Sequence, residues 1–392
     1  MPYRIINKKG EFISHYIFDE IASSSEGLFR FKDEDKFGYY CPTKQEVTIA
    51  PTYDFAYDFA EQVAVVCNDK GLYSFINKNN DCVIPPIYQD AQYFNHSLCV
   101  VKKKGKYGII NHFNEVVAHF VYDDIMSFYC SVTSYRKGKK YGLISNRGEE
   151  LCPPIYDFIG ECQEDLLCIV INNKVGFIDT MGKLVIKPIY QDAKNFSHGV
   201  VAVMKKRRWG FIDRNDKWVI PPTYRNVYIG FHEGICFVVN EAGALGAINL
   251  WNEVVIPFIL YPSLQLPSSY TFASRFINGL SVVAQDKERS EVSSSLSPAE
   301  YIKTESLNFY EKIGRNLLGF TIENPVGIID VNMNIIVDFK YKHIDKFSDG
   351  LAKVRTDKNN IGYINTIGEE IIPPSFLGGE SFKEGYAVVK TN

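Results

Sequence analysis

Short apolar runs of about five residues, rich in valine, isoleucine and aromatic side chains, alternate along this chain with polar clusters of Lys, Asn, Asp and Gly. The stretch 190–222 shows the arrangement in full. Tyr190-Gln191-Asp192-Ala193-Lys194-Asn195-Phe196-Ser197-His198-Gly199 leads into Val200-Val201-Ala202-Val203-Met204 and a basic turn, Lys205-Lys206-Arg207-Arg208. Trp209-Gly210-Phe211-Ile212-Asp213 follows, then a polar turn over 214–217, and finally Trp218-Val219-Ile220-Pro221-Pro222. Each run is too short for a helix and is bounded by turn-forming residues, so the segment predicts a three-stranded meander. Tyr190, Ala193 and Phe196, at i, i+3 and i+6, predict a helical turn or tight bend facing inward ahead of it.

The pattern recurs. An aromatic residue returns about every 34 positions, as Phe18, Tyr53, Tyr88, Tyr122, Tyr156, Tyr190, Tyr224, Tyr270, Tyr341 and Phe376. Tyr88, Tyr156, Tyr224 and Phe376 each follow Pro-Pro plus one residue. Self-similarity at such a period defines a repeat architecture, whose modules bury their apolar faces against one another. The recurring aromatic is expected to fill the seam between modules. A glycine early in the second strand recurs as Gly38, Gly71, Gly108, Gly142, Gly176, Gly210, Gly246, Gly327 and Gly362. Glycine inside a strand marks a bulge or a close backbone approach. The prolines lack an N–H and are expected to end the third strand.

These features resemble the WG repeat family. The full Trp-Gly stands only at Trp209-Gly210; elsewhere the aromatic place holds Phe37, Tyr107 or Tyr141, or an aliphatic residue such as Val175, Leu245, Val326 or Ile361. Gly-Phe-Ile-Asp at 176–179, Gly-Tyr-Ile-Asn at 362–365 and the Pro-Pro-x-Tyr element complete the resemblance, which covers all but about 285–318. It implies a bacterial, all-β repeat protein and brings no catalytic residues with it.

The expected fold is therefore all-β, a single array over 1–392 of about ten three-stranded β-meander modules. It is either an open curved superhelix (a solenoid) or a closed propeller-like ring. Arg4 to Ile13 match strands two and three of a module, and Glu384 to Lys390 match strand one. Split registers of this kind occur where terminal strands pair. Propellers typically have about four to eight blades, which weighs toward the open form.

One departure breaks the period: Gly246 and Gly327 are separated by more than twice the usual spacing. Extra residues fall near 260–267 and, as an insert at 285–318, between Val283 and Leu318. Ser297-Pro298-Ala299-Glu300 reads as a helix start, so the insert is expected to hold one short helix. Its Tyr301, Ile302, Phe309 and Tyr310 are candidate partner contacts.

Composition narrows the function classes. Hydrophobic residues make up 46% and charged residues 23% of the 392, which excludes wholesale disorder. A net charge of −3 does not mark a nucleic-acid binder. The apolar runs fall far short of the roughly 18 residues of a membrane span, and the first ten residues lack a signal-peptide core, so a cytoplasmic location is expected. Nine cysteines without a Cys-x-x-Cys pair read as reduced structural thiols.

Three first-hairpin turns are basic and lie at equivalent places: Lys102, Lys103, Lys104 and Lys106; Arg136, Lys137, Lys139 and Lys140; and Lys205, Lys206, Arg207 and Arg208. Beside Tyr107, Tyr141 and Trp209 they are candidates for binding nucleic acid or an acidic partner, weighed against plain solvated hairpin tips. The histidines form no ligand set, so no metal and no cofactor is expected. There is no phosphate loop, nucleophile elbow or zinc-protease motif. Asp123, Asp124 and Asp157, beside the anchors, are expected to hold turn amides rather than do acid–base chemistry. Pro-Pro-x-Tyr is also a WW-domain ligand, but its fixed place in the module favours a structural role. The combined reading is a non-catalytic binding or scaffold protein whose macromolecular partner is another protein, with nucleic acid as the alternative. Oligomeric state is not set by the sequence.

Overall fold

The computed structural model describes residues 2–128, 130–227, 230–259, 280–284, 326–330 and 335–391. Among the described residues there is no helix; the strands form ten small antiparallel sheets. The insert at 285–318, with Tyr301, Ile302, Phe309 and Tyr310, lies outside the described residues, as does Tyr270. The chain divides into two compact units, Met1–Pro188 with Phe376–Asn392, and Ile189–Ser375.

In most repeats a fourth strand joins the expected three. In the third sheet the order is Asp90–Ala91, Leu98–Lys103, Lys106–Asn111, Val116–Tyr122. The segment after the anchor, expected as a helical turn or bend, is a two-residue strand, with Ala91 opposite Val101. Its amides need partners, and the free edge of the following strand supplies them: Gln89 N–H donates to Lys102 O (2.8 Å) and Gln92 N–H to Val100 O (2.9 Å). Ala91 and Phe94 still turn inward and are buried.

The prolines do not end the third strand. In the sixth sheet Trp209 lies opposite Tyr224 and Phe211 opposite Ile220, so Pro221, Pro222 and Thr223 together face Gly210. The strand Trp218–Tyr224 bulges there, where no ladder donor is needed, and resumes to deliver the anchor. A Cβ on Gly210 would lie 2.6 Å from Ile220 O and 2.7 Å from Pro222 N, which explains the glycine. In the second sheet Ser74, not Gly71, holds this place opposite Val66, and Tyr73 takes the aromatic position. Gly71 instead sits in the preceding turn with φ 70°.

The anchors fill the seams. In the first unit Tyr88 is buried among Val65, Phe75 and Ile84 of its own sheet and Ala91, Phe94 and Ile110 of the next. Its hydroxyl donates to Asn114 Oδ1 (2.5 Å) in the next sheet's second hairpin turn. Tyr53 reaches Asn80 in the same way (2.7 Å), and in the second unit Tyr224 reaches Asn252 (2.5 Å).

Within the first unit the two ends of the chain meet. Tyr3–Asn7 pairs antiparallel with Tyr386–Lys390, from Tyr3 opposite Lys390 to Asn7 opposite Tyr386, and Gly378–Gly379 completes that sheet. The split register of the sequence anticipated this pairing; it places Tyr386–Lys390 in the middle of the sheet, with Tyr3–Asn7 as its outer strand.

Candidate interaction surfaces

The second strand of each repeat turns at both ends, so the first-hairpin and second-hairpin turns lie at opposite ends of a sheet. The first-hairpin turns carry the basic residues. Lys103 and Lys106 pair around Lys104 and Gly105 (φ 51° and 79°), and Lys205 and Arg208 pair around Lys206 and Arg207 (φ 51° and 63°). Two left-handed central residues make the turn whose twist matches paired strands. Lys137 and Lys140 close the equivalent turn in the fourth sheet around Gly138 and Lys139.

The structure thus gathers each basic group at one hairpin tip, and much of the charge is already engaged. Lys106 bonds Asp123 (2.5 Å), Lys140 bonds Asp157 (2.6 Å) and Lys137 bonds Glu150 (2.6 Å). Arg208 bonds Glu241 (3.0 Å), and Arg136 lies 4.0 Å from Asp124. Lys102 sits 5.0 Å above the Tyr107 ring, Lys103 5.9 Å from Tyr88 and Lys205 5.9 Å from Trp218. Lys104, Lys139, Lys206 and Arg207 are exposed at the tips.

Asp123 and Asp157 take the amide-holding role expected of them. Asp123 accepts from Lys106 through one oxygen and from the Gly138 N–H of the next sheet through the other (2.6 Å). The lysine, and then that amide, hold its carboxyl below the usual range. Asp157 does the same with Lys140 and the Asn172 N–H (2.8 Å). Gln89 and Gln191 hold the Gly105 and Arg207 amides (2.7 and 2.8 Å). The residue after each of these anchors therefore clasps the following turn.

The second-hairpin turns were not read from the sequence as a surface. Asn111 Oδ1 accepts from the Phe113 N–H (3.0 Å) and the Glu115 N–H (2.9 Å), and Asn114 is left-handed (φ 62°). Asp179, Asn249 and Asn365 build the same turn around Met181, Trp251 and Ile367. These middle residues point outward: in the first unit Phe113 is 84% and Met181 72% exposed, in the second Trp251 is 79% and Ile367 66%. The turn chemistry does not demand them, because Lys9, Asn79 and Asn215 fill the same position on Asn7, Asn77 and Asp213. The available signal was the Asp or Asn that closes Gly-x-Ile-Asp/Asn, two residues before each tip.

Two of the histidines are held by local contacts. His112 stacks on Phe94 (ring centroids 3.9 Å apart) and meets Glu61 (3.0 Å), and His198 meets Ser197 (2.9 Å). Among the described residues no group of three or more His, Cys, Asp or Glu side chains is placed to hold a metal.

Small four-stranded antiparallel sheets, each produced by one pass of the repeat, define an all-β repeat protein with propeller-like modules. The WG containing repeat matches residues 3–37, 43–71, 73–107, 107–141, 141–174, 176–207, 209–242, 327–359 and 361–392, and the chain belongs to that family. No curated protein matches the sequence. Among solved structures, a eukaryotic initiation factor is similar over 89% of this chain and 95% of its own, at 10% identity and a TM-score of 0.45. The designed Ika8 protein is similar over 67% and 91% (10% identity, TM-score 0.33). BamB from Moraxella catarrhalis is similar over 61% and 86% (9% identity, TM-score 0.30). At these values none of them bears on function.

Proposed function

We propose that this protein is a non-catalytic scaffold that binds another protein through the apolar tips of its second hairpins. The observation that carries this reading is the recurrence of Phe113, Met181, Trp251 and Ile367 at one equivalent, outward-facing turn position. Single exposed apolar residues are ordinary on any surface. Large ones repeated at a place where lysine or asparagine serves the turn equally well are not accounted for by the fold. Rigid hairpins present them with little ordering cost, as binding anchors require. The Lys and Arg clusters support nucleic acid less well, since several of their charges face carboxylates of the same unit. Nine cysteines, none in a disulfide, favour work in the reducing cytoplasm.

The test is co-purification from the native host, comparing the natural chain with one carrying Phe113→Ser, Met181→Ser, Trp251→Ser and Ile367→Ser. The quadruple variant is expected to keep its melting profile and lose its partner. A second variant, Lys103→Glu with Lys139→Glu and Arg207→Glu, should retain it. Loss of the partner in the charge variant alone would overturn the assignment in favour of the basic turns.

A further inference from the structure

Seven described repeats place a phenylalanine three residues (four for Phe231) after the first inward position behind the anchor: Phe59, Phe94, Phe128, Phe196, Phe231, Phe347 and Phe382, all buried or half-buried. The ring enters the seam with the preceding sheet; Phe59, for example, lies 4.8 Å from Tyr39, and Phe231 4.8 Å from Phe211. Two described repeats break the rule, with Ser24 and Cys162 at this place.

The two exceptions differ in what stands opposite. At Ser24 the preceding sheet begins its first strand with Tyr386, whose ring packs 6.1 Å from Phe29, and the serine hydroxyl is bonded to Glu384 (2.5 Å). A large residue across the seam makes up for the small one. At Cys162 the corresponding residue is Val132, no larger than Val63 or Leu98 in the seams that hold a phenylalanine. The missing ring is not replaced. A cavity of ≈ 160 Å³ opens there within the first unit, lined by Met126, Val132, Ser134, Tyr141, Phe158 and Cys162 among others.

We propose that this seam cavity is a binding site for one uncharged aromatic ring, the size of a phenylalanine side chain. The volume matches: an apolar protein cavity of about 150 Å³ stays dry and takes up benzene. Of the polar groups that line it, Thr133 donates to Met126 O (2.9 Å) and Ser127 to Gln92 Oε1 (2.9 Å), while Ser134, Tyr141 and the exposed Glu161 carboxylate also reach the wall. Burial, and then the neighbouring Cys130 thiol, push Cys162 up to about 12, so its wall is a neutral, weakly polar sulfur. The wall is mainly apolar, from Met126, Val132, Phe158, Ile159 and Leu167, so a ligand with several charged or hydrogen-bonding groups would leave most of them unmet.

The ring can arrive as a free molecule or on a peptide, and the experiment separates the two. Toluene and N-acetyl-phenylalanine amide are each titrated into the whole chain, reading melting temperature and the methyl NMR resonance of Met126, which lines the cavity. Saturating toluene is expected to raise the melting temperature by roughly 2 °C and to shift the Met126 methyl resonance through the ring current of the bound aromatic. Response to both compounds identifies a site open to a chain-borne ring; response to toluene alone identifies one for free molecules. Cys162→Phe, which fills the space from within, is expected to melt higher than the natural protein and to ignore toluene. The proposal fails if toluene neither shifts the melt nor moves the Met126 resonance, or if Cys162→Phe responds to toluene as the natural protein does. Should that variant not fold, the Met126 resonance of the natural protein decides alone.

Discussion

A methyl group at Gly210 has no room. The atoms it would meet at 2.6–2.8 Å belong to the backbone of Ile220, Pro221 and Pro222, not to a side chain that could swing away. Gly176 and Gly362 face the same backbone crowding in their own sheets. We expect Gly210→Ala to lower stability by about 1–3 kcal/mol, seen as a lower urea midpoint. Ser74 is the built-in comparison, because the second sheet already accommodates a Cβ at the equivalent place. Ser74→Gly is expected to move the midpoint by less than about 1 kcal/mol; equal effects at the two sites would refute the steric account. At this scale the anchors and bulge glycines were legible, because each answers a stereochemical need that few residues meet. Ser74 was not, since a glycine three positions earlier competed for the place and only hydrogen-bond register separates them. The clasping residues Gln89, Asp123 and Asp157 were legible only in part. Asp and Gln are common in turns, and nothing in the sequence says that one reaches the amide of the following module.

Elements are joined by a second series of clasps, on the turns that precede each first strand. Glu384 accepts from Ser24 Oγ (2.5 Å), Glu26 N–H (2.8 Å) and Gly27 N–H (2.9 Å), Glu26 accepts from Gln62 N–H (3.0 Å), and Glu61 accepts from Ser97 N–H (2.9 Å). Burial opposes ionisation of Glu384, but these bonds outweigh it and hold its carboxyl below the ordinary value. A carboxyl depressed in the folded state adds stability above its unfolded pKa, near 4.3, and loses it as pH falls through the folded value. Glu384→Gln is therefore expected to lower stability at pH 7 by about 1 kcal/mol, a figure kept small because the side chain is exposed enough to be screened. The difference between variant and natural protein should shrink as the pH is taken below about 4. A constant difference from pH 7 to pH 3 would show that the charge is not what the turn amides hold. The three main strands of each module were legible from alternation and turn residues. The fourth was not, because two residues are too few to show a period, and its existence follows from the amides that need a partner.

For the whole molecule, the split register in the sequence carried the most information. Arg4 to Ile13 and Glu384 to Lys390 each match part of one module, and the structure joins them in one sheet. Phe12 packs edge-on against Phe376 (6.3 Å), Arg4 lies over the Phe12 ring (3.7 Å), and Thr391 N–H donates to Pro2 O (3.2 Å). A terminal strand in a linear repeat array can usually be trimmed at modest cost, because it contacts only one neighbour. Here Tyr3–Asn7 is the long partner of Tyr386–Lys390, and without it that strand keeps only Gly378–Gly379 beside it. Removing residues 1–13 would expose an unpaired edge together with the apolar side chains of Phe29, Tyr40 and Val388, which Ile5 now covers. We expect the shortened chain to melt well below the natural protein and to associate on size-exclusion chromatography. A circular permutant should behave oppositely. Joining Asn392 to Met1 through a short Gly-Ser linker and opening the chain between Lys104 and Gly105 keeps every pairing of the terminal sheet and disturbs one hairpin tip. It is expected to elute as the natural protein does and to melt within a few degrees of it. A truncated chain that melts and elutes like the natural one would mean that the pairing of the two ends contributes nothing to holding the first unit together.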